Sequence, residues 1–122
     1  MSTQTIQSTF DIPALVAALE GRDAAAQLEL YAEDAQITTA DETARPSQPN
    51  VLRGHAEIGP YLEDVCGRDM THRVTEAIVS GDRLAYQVDC EYPDGKRVLC
   101  HAIAVLRDGR IASQRGVQVW DV

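Results

Sequence analysis

The sequence predicts an α+β domain: three helices in its first half packed on one face of a strongly curved antiparallel sheet supplied by its second half. Three observations carry that prediction. Up to Cys66 the apolar residues recur every three to four positions and are bracketed by capping signals. From Met70 onward the pattern changes to long β-rich runs broken by short turn sequences. The chain of 122 residues, 44% hydrophobic and 25% charged, suits one core and is too short for two.

The first helix is set by Ile12, Leu15, Val16 and Leu19, with Asp11 as its cap, Pro13 in its first turn and Gly21 as its stop. Asp23 caps a second helix through Ala24, Ala25, Ala26, Leu28 and Tyr31, which is expected to end near Glu33 and Asp34. A short strand follows at Ala35 to Thr39. The stretch from Ala40 to Arg53, with Pro46, Ser47, Pro49 and Asn50, has no periodicity and reads as a mobile loop. Ile58, Tyr61, Leu62, Val65 and Cys66 signal a third helix closing at Gly67. Gly59 and Pro60 interrupt its first turns, so its regular part is expected from Pro60.

Four strands then form a meander: Thr71 to Val79, Arg83 to Tyr92, Arg97 to Leu106 and Arg110 to Trp120. Pro93-Asp94-Gly95 suits a three-residue loop that sets Val88 opposite Cys100 and Tyr86 opposite Ala102. The turn at Asp108-Gly109 leaves two registers open. A two-residue loop puts Ser113 and Arg115 beside Ala102 and Ala104; a three-residue loop with Arg107 puts Ala112, Gln114 and Gly116 there. The residues before the first helix, 1–10, are expected to be a flexible tail, and 11–122 a single domain.

Both faces of the third long strand are apolar. Val98, Cys100, Ala102, Ala104 and Leu106 share one face, while Leu99, His101, Ile103 and Val105 share the other. With Ile111, Val117 and Val119 extending it, that second face predicts a homodimer packed sheet to sheet.

Composition excludes several roles. With 19 acidic against 11 basic residues the chain carries a formal charge of −8, the wrong sign for nucleic acid or an anionic membrane surface. No apolar stretch is long enough to cross a bilayer, and Met1 to Thr9 lacks the basic start and apolar core of a signal peptide, so a cytoplasmic protein is expected. Cys66, Cys90 and Cys100 have no Cys-x-x-Cys spacing and read as buried free thiols; His101 adjoins Cys100 but points to the opposite face. No metal-ligand spacing and no Gly-rich phosphate loop appear, so neither metal nor cofactor is expected.

Several motifs in order resemble a known family. Leu28-x-Leu-Tyr-Ala-Glu-Asp-Ala-x-Ile37, Arg53-Gly54-His55 opening a helix, Met70-Thr-His-Arg-Val74, Gly81-Asp82-Arg83, and Leu106-Arg-Asp-Gly-Arg-Ile111 leading to Trp120-Asp121 are similar to SnoaL-like proteins of the nuclear transport factor 2-like superfamily. The resemblance spans about Asp11 to Asp121. It implies a cone-shaped roll with an apolar pocket at its open end, and dimers through the outer sheet face. It does not name a reaction, since the superfamily includes isomerases, cyclases, dehydratases, epoxide hydrolases and members that only bind or dimerise. Ketosteroid isomerase chemistry is disfavoured: the positions of its tyrosine, base and second aspartate align here with Leu15, Thr39 and Ala104, and Asp41 lies two residues past the base position.

By the same resemblance the last strand turns Gln114, Gly116, Gln118 and Trp120 toward the pocket, which favours the three-residue turn. The expected wall is Leu15, Tyr31, Thr39, Tyr61, Tyr86, Val88, Cys100, Ala102, Ala104, Gln114, Gln118 and, at the rim, Trp120, mostly apolar with a few hydrogen-bonding groups. His72 is the first candidate for acid/base work near neutral pH, against a strand-end histidine bonded to backbone. Asp41, in the loop, is a second candidate base. Glu76 is a third, because strict alternation puts it on the same face as His72 and Val74. The expected function is cofactor-free isomerisation, cyclisation, dehydration or epoxide opening of a small apolar ligand; the competing expectation is a non-catalytic binding or dimerisation module.

Overall fold

A computed structural model describes residues 10–121. Its elements run α1 (Ile12–Glu20), α2 (Ala24–Glu29), β1 (Tyr31–Ala40), β2 (Asn50–Arg53), α3 (Gly54–Cys66), β3 (Thr71–Ser80), β4 (Arg83–Glu91), β5 (Arg97–Arg107) and β6 (Arg110–Trp120). The three helices pack against a curved, unclosed six-stranded sheet of order β2-β1-β6-β5-β4-β3. It is antiparallel throughout except where β1 runs parallel to β6.

The helix starts obey the capping rules. Asp11 Oδ1 accepts from Ala14 N (3.0 Å), and Asp23 Oδ1 accepts from Ala26 N (3.0 Å). The second helix is shorter than its sequence pattern predicts, because Tyr31 belongs to β1 and pairs with Ile111 rather than continuing α2. Strand pairing overrides helix propensity at that point: Ile111 N donates to the carbonyl of Leu30, the last residue before the strand (2.8 Å). The stretch read as a loop contains β2, which pairs with β1 from Gln36 to Thr39, and a bridge between Asp41 and Ala44.

α3 begins at Gly54, six residues before the expected start. Gly54 takes a φ of +71°, a conformation open to glycine, which lets β2 turn directly into the helix. Glu57 Oε1 reaches back to accept from Arg53 N (2.6 Å). Pro60 is accommodated inside the helix: the carbonyl it leaves without a partner is that of Ala56, which is exposed to water.

The core joins helix residues Leu15, Ile58 and Leu62 to sheet residues Ile37, Leu84, Ala104, Leu106 and Ile111, with Phe10 also buried in it. The remainder of the expected tail, residues 1–9, lies outside the described residues. A second cluster of Met70, Val88, Cys90 and Val98 sits toward the other end of the sheet. Among the described residues no helix is long and apolar enough to cross a membrane.

Two β-bulges decide which side chains face the helices. β4 and β5 pair as expected, Val88 with Cys100 and Tyr86 with Ala102. At the Asp108-Gly109 turn the structure resolves the two registers in a way neither loop length alone gives. The turn has two residues, both with positive φ (54° and 77°), and pairs Arg107 with Arg110 and Leu106 with Ile111. One extra residue, Ala112, then shifts the ladder so that Ala104 meets Gln114, Ala102 meets Gly116 and Cys100 meets Gln118. Ile111, expected on the outer patch, is fully buried inside. The second bulge, at Thr75 in β3, lies between the Val74–Val88 and Glu76–Gln87 pairs. Uninterrupted alternation from Val79 would turn Arg73 inward and His72 outward; the extra residue turns His72 and Val74 in and leaves Glu76 outside.

Candidate functional site

Between the helices and the inner sheet face lies a cavity of about 350 Å³. Its apolar wall comes from Leu19, Ile37, Leu62, Val65, Met70, Val88 and Val98. Three clusters of its polar groups are each positioned by a different part of the fold.

At the floor, the start of β1, the middle of β4 and the bulged half of β6 bring together Tyr31, Tyr86 and Gln114. The Tyr86 hydroxyl donates to Gln114 Oε1 (2.9 Å), and the Tyr31 hydroxyl points at the same oxygen from 3.4 Å. Burial pushes the Tyr31 phenol up to about 12 and the Tyr86 phenol well above its ordinary value, so both keep their protons. His55, at the start of α3, fixes the floor from behind: its Nε2 lies 2.8 Å from the Tyr31 carbonyl oxygen.

On one side wall, α3 presents Tyr61 to Gln118 of β6. Burial raises the Tyr61 phenol, with Gln118 hydrogen-bonded to it. Trp120 Nε1 donates to Gln118 Oε1 (3.1 Å), and Trp120 closes this wall with its ring 6.2 Å from that of Tyr92.

On the other side wall, β3 and β4 set His72 directly across from Cys90, with His72 Nδ1 3.3 Å from Cys90 Sγ. Cys100 of β5 lies beside Cys90. Its hydrogen bond, and then that of His72, pull the Cys90 thiol down to about 5, while giving up a proton next to Cys90 is made harder for Cys100. His72 Nε2 is enclosed and has no hydrogen-bond partner among the described residues.

The expected wall residues Tyr31, Thr39, Tyr61, Tyr86, Cys100, Gln114, Gln118 and Trp120 all line this cavity, as do His72 and Asp41. Two expectations need correction. Glu76 is exposed on the outer face, because the Thr75 bulge reverses the alternation between it and His72. Leu15 and Ala104 are packed in the core rather than in the wall. Asp41 sits at the mouth with its carboxylate already engaged, Oδ1 accepting from Thr43 N and Thr43 Oγ1 (both 2.7 Å). The residue that the sequence reading missed is Cys90. His101, adjacent to Cys100 in sequence, lies on the outer face, whereas Cys90 finds its imidazole across the strands. Among the described residues no group of three or more His, Cys, Asp and Glu side chains is placed to hold a metal ion.

The fold of three helices against a bent six-stranded sheet matches known proteins. Residues 12–114 match the SnoaL-like domain. The chain belongs to the SnoaL-like family. Solved structures similar to this SnoaL-like chain include an NTF2-like protein of unknown function from Mesorhizobium loti, 21% identical, covering 88% of this chain and 86% of that one with a TM-score of 0.75. Another is a putative ketosteroid isomerase from Kribbella flavida, 20% identical over 91% of this chain and 75% of that one, TM-score 0.70. A third is a putative polyketide cyclase from Sinorhizobium meliloti, 21% identical over 86% and 91%, TM-score 0.63. At these identities the likeness is one of fold. Comparison with curated proteins finds no match.

Proposed function

We propose that this SnoaL-like chain binds a small, largely apolar molecule bearing a carbonyl or hydroxyl oxygen, and moves a proton on it without a cofactor. The reaction class is isomerisation, cyclisation, dehydration or epoxide opening. The observation that carries this reading is the separation of functions around one cavity: neutral phenols and amides gather at the floor and on the α3 side, and an imidazole stands on the opposite wall. The protonated phenols are donors for a ligand oxygen. His72, lining the cavity on the wall opposite the phenols, is the group placed to exchange a proton with the ligand. The volume lies at the low end of the roughly 300–1,000 Å³ of small-molecule sites, which sets the ligand's size class. The likeness to a putative ketosteroid isomerase and a putative polyketide cyclase supports small oxygenated carbon skeletons as the ligands.

Trp120, the only tryptophan, lines the cavity and supplies the test. Titration with small cyclic ketones is expected to shift or quench its emission saturably, and the matched hydrocarbons to bind more weakly. Unchanged emission with every ketone, together with unchanged tyrosine resonances, refutes the reading.

A second reading concerns assembly and is favoured by a separate observation. Ile78, Leu99, Ile103, Val117 and Val119 are all exposed on the outer sheet face, Ile103 by 62% and Val119 by 61%. The occupant we infer is a second copy of this chain. Acidic and basic side chains share that face, Glu76 and Asp89 with Arg73 and Arg115, so two copies do not meet there with the repulsion that their net charges would otherwise impose. The three unpaired cysteines fit a reducing, cytoplasmic setting.

A further inference from the structure

Acid/base chemistry at the cavity does not use the sulfur that stands there. Cys90 is 4% exposed and lines the cavity. His72 faces it directly across the β3–β4 ladder, and Cys100 lies diagonally across the β4–β5 ladder, where Cys90 pairs with Val98 and Val88 with Cys100. A diagonal antiparallel pair has its Cα atoms about 7–8 Å apart, beyond the reach of an unstrained disulfide, so the two sulfurs are set to share a proton rather than a bond. Cys66, outside the cavity, has the opposite environment: burial raises its thiol, and Gln27 Nε2 donates to its sulfur (3.3 Å).

We propose that Cys90 is a nucleophile of the cavity that adds reversibly to ligands carrying a carbon–carbon double bond conjugated to a carbonyl, with His72 as its proton partner. The proposal rests on the cavity being a small-molecule site. In the step, His72 Nδ1 holds the Cys90 proton while Sγ forms a bond to the β-carbon of the ligand. The π electrons of the double bond move toward the carbonyl oxygen, which accepts a hydrogen bond from the protonated Tyr61 hydroxyl on the facing wall. The proton held by His72 then passes to the α-carbon. The sum is addition of S–H across C=C, so no oxidant, reductant or second substrate is needed. Reversal before the α-carbon is protonated, after rotation about the former double bond, returns the other geometric isomer, which makes cis–trans isomerisation of such ligands an activity available to this site. The hydrogen bonds of Cys100 and then His72 lower the Cys90 thiol below its ordinary value, which supports the assignment.

The test is intact-mass and peptide mapping of the reduced chain after exposure to 2-cyclohexen-1-one. A single adduct on Cys90 is expected, formed at least tenfold faster than on Cys66 or Cys100. Between pH 8 and pH 6 its rate is expected to change less than threefold, where an ordinary thiol slows roughly 100-fold. His72→Asn should slow the pH 6 reaction at least tenfold, Cys90→Ser should abolish the adduct, and Cys66→Ser should leave it unchanged. If His72→Asn does not fold, the wild-type pH profile and site distribution decide alone. First labelling at Cys66 or Cys100, or a Cys90 rate that falls with pH like an ordinary thiol, overturns the proposal. Saturated cyclohexanone separates it from the reading it rests on. Trp120 responding to cyclohexanone with Cys90 unlabelled removes the nucleophile and keeps the site, whereas no response and no label removes both.

Discussion

His72 and Cys90 meet at 3.3 Å across β3 and β4 because Thr75 bulges out of the ladder instead of taking a paired position in it, so the segment before it keeps the register that sets the two residues opposite each other. Val74 pairs with Val88 and Glu76 with Gln87, leaving Thr75 without a partner position. The contact therefore depends on the pairing of the strand segment before the bulge, and the extra residue itself is dispensable to it.

Deleting Thr75 is expected to leave His72 opposite Cys90, since the flanking pairs already alternate correctly without it. The loss is confined to the bonds with Gln87, its Nε2 donating to Thr75 Oγ1 (2.9 Å) and Thr75 Oγ1 donating to its carbonyl oxygen (3.5 Å), and to local twist, a destabilisation of about 1 kcal/mol. Urea unfolding measures the cost, and the pH profile of Cys90 alkylation reports the contact. A profile returned to that of an ordinary thiol contradicts this account of the bulge.

Gln114→Leu removes the acceptor toward which two buried hydroxyls point, those of Tyr86 and Tyr31. An unsatisfied buried donor costs about 1–3 kcal/mol, so a loss of about 2–4 kcal/mol is expected, and Tyr86→Phe alone should cost less. Combining Gln114→Leu with Tyr86→Phe should recover part of the loss, because it removes one orphan. Strict additivity in denaturation would mean the bond carries no weight.

Stability should fall as the solution is made strongly alkaline. The Tyr31 phenol is raised by burial from 10.0 to about 12, so its contribution is fully present below about pH 10 and is lost as pH climbs toward 12. Over those two pH steps the loss is on the order of 3 kcal/mol from Tyr31 alone. Phenolate absorbance and circular dichroism followed together should show ionisation of Tyr31, Tyr61 and Tyr86 coinciding with unfolding. Early ionisation of all of them in a folded protein would contradict their burial.

Ile103→Asp places a carboxylate in the middle of the exposed aliphatic face. Wild-type chain is expected to sediment at twice its 13.3 kDa mass and the variant at that mass, with its helix and strand content retained. A monomeric wild type at micromolar concentration rules out the second copy as occupant of that face.

Much of this architecture is legible in the residues. Asp11 and Asp23 cap where their spacing says, Pro93-Asp94-Gly95 sets the β4–β5 register, and the eight proposed ligand-contact residues all reach the cavity. What was not legible has two physical causes. Tyr31 continues a good helical pattern and is captured by Ile111, eighty residues later, a contact no local propensity encodes. Thr75 and Ala112 look like ordinary strand residues, because a bulge at either place has no compositional mark. The error over Glu76 and the loss of Ile111 from the outer patch follow from those two positions.

The bulges also bear on how this chain should be matched to relatives of about 20% identity. A one-residue gap opposite Thr75 or Ala112 leaves every neighbouring side chain on its own face, while a gap placed one strand-segment away exchanges interior for exterior along the whole intervening run. Beyond Ala112 that exchange would trade Gln114, Gly116 and Gln118 for Arg115, Val117 and Val119, swapping the cavity's contacts for those of the outer surface. Residue equivalences drawn across these two strands therefore depend on where a single gap is opened, and functional roles carried over from a relative inherit that choice.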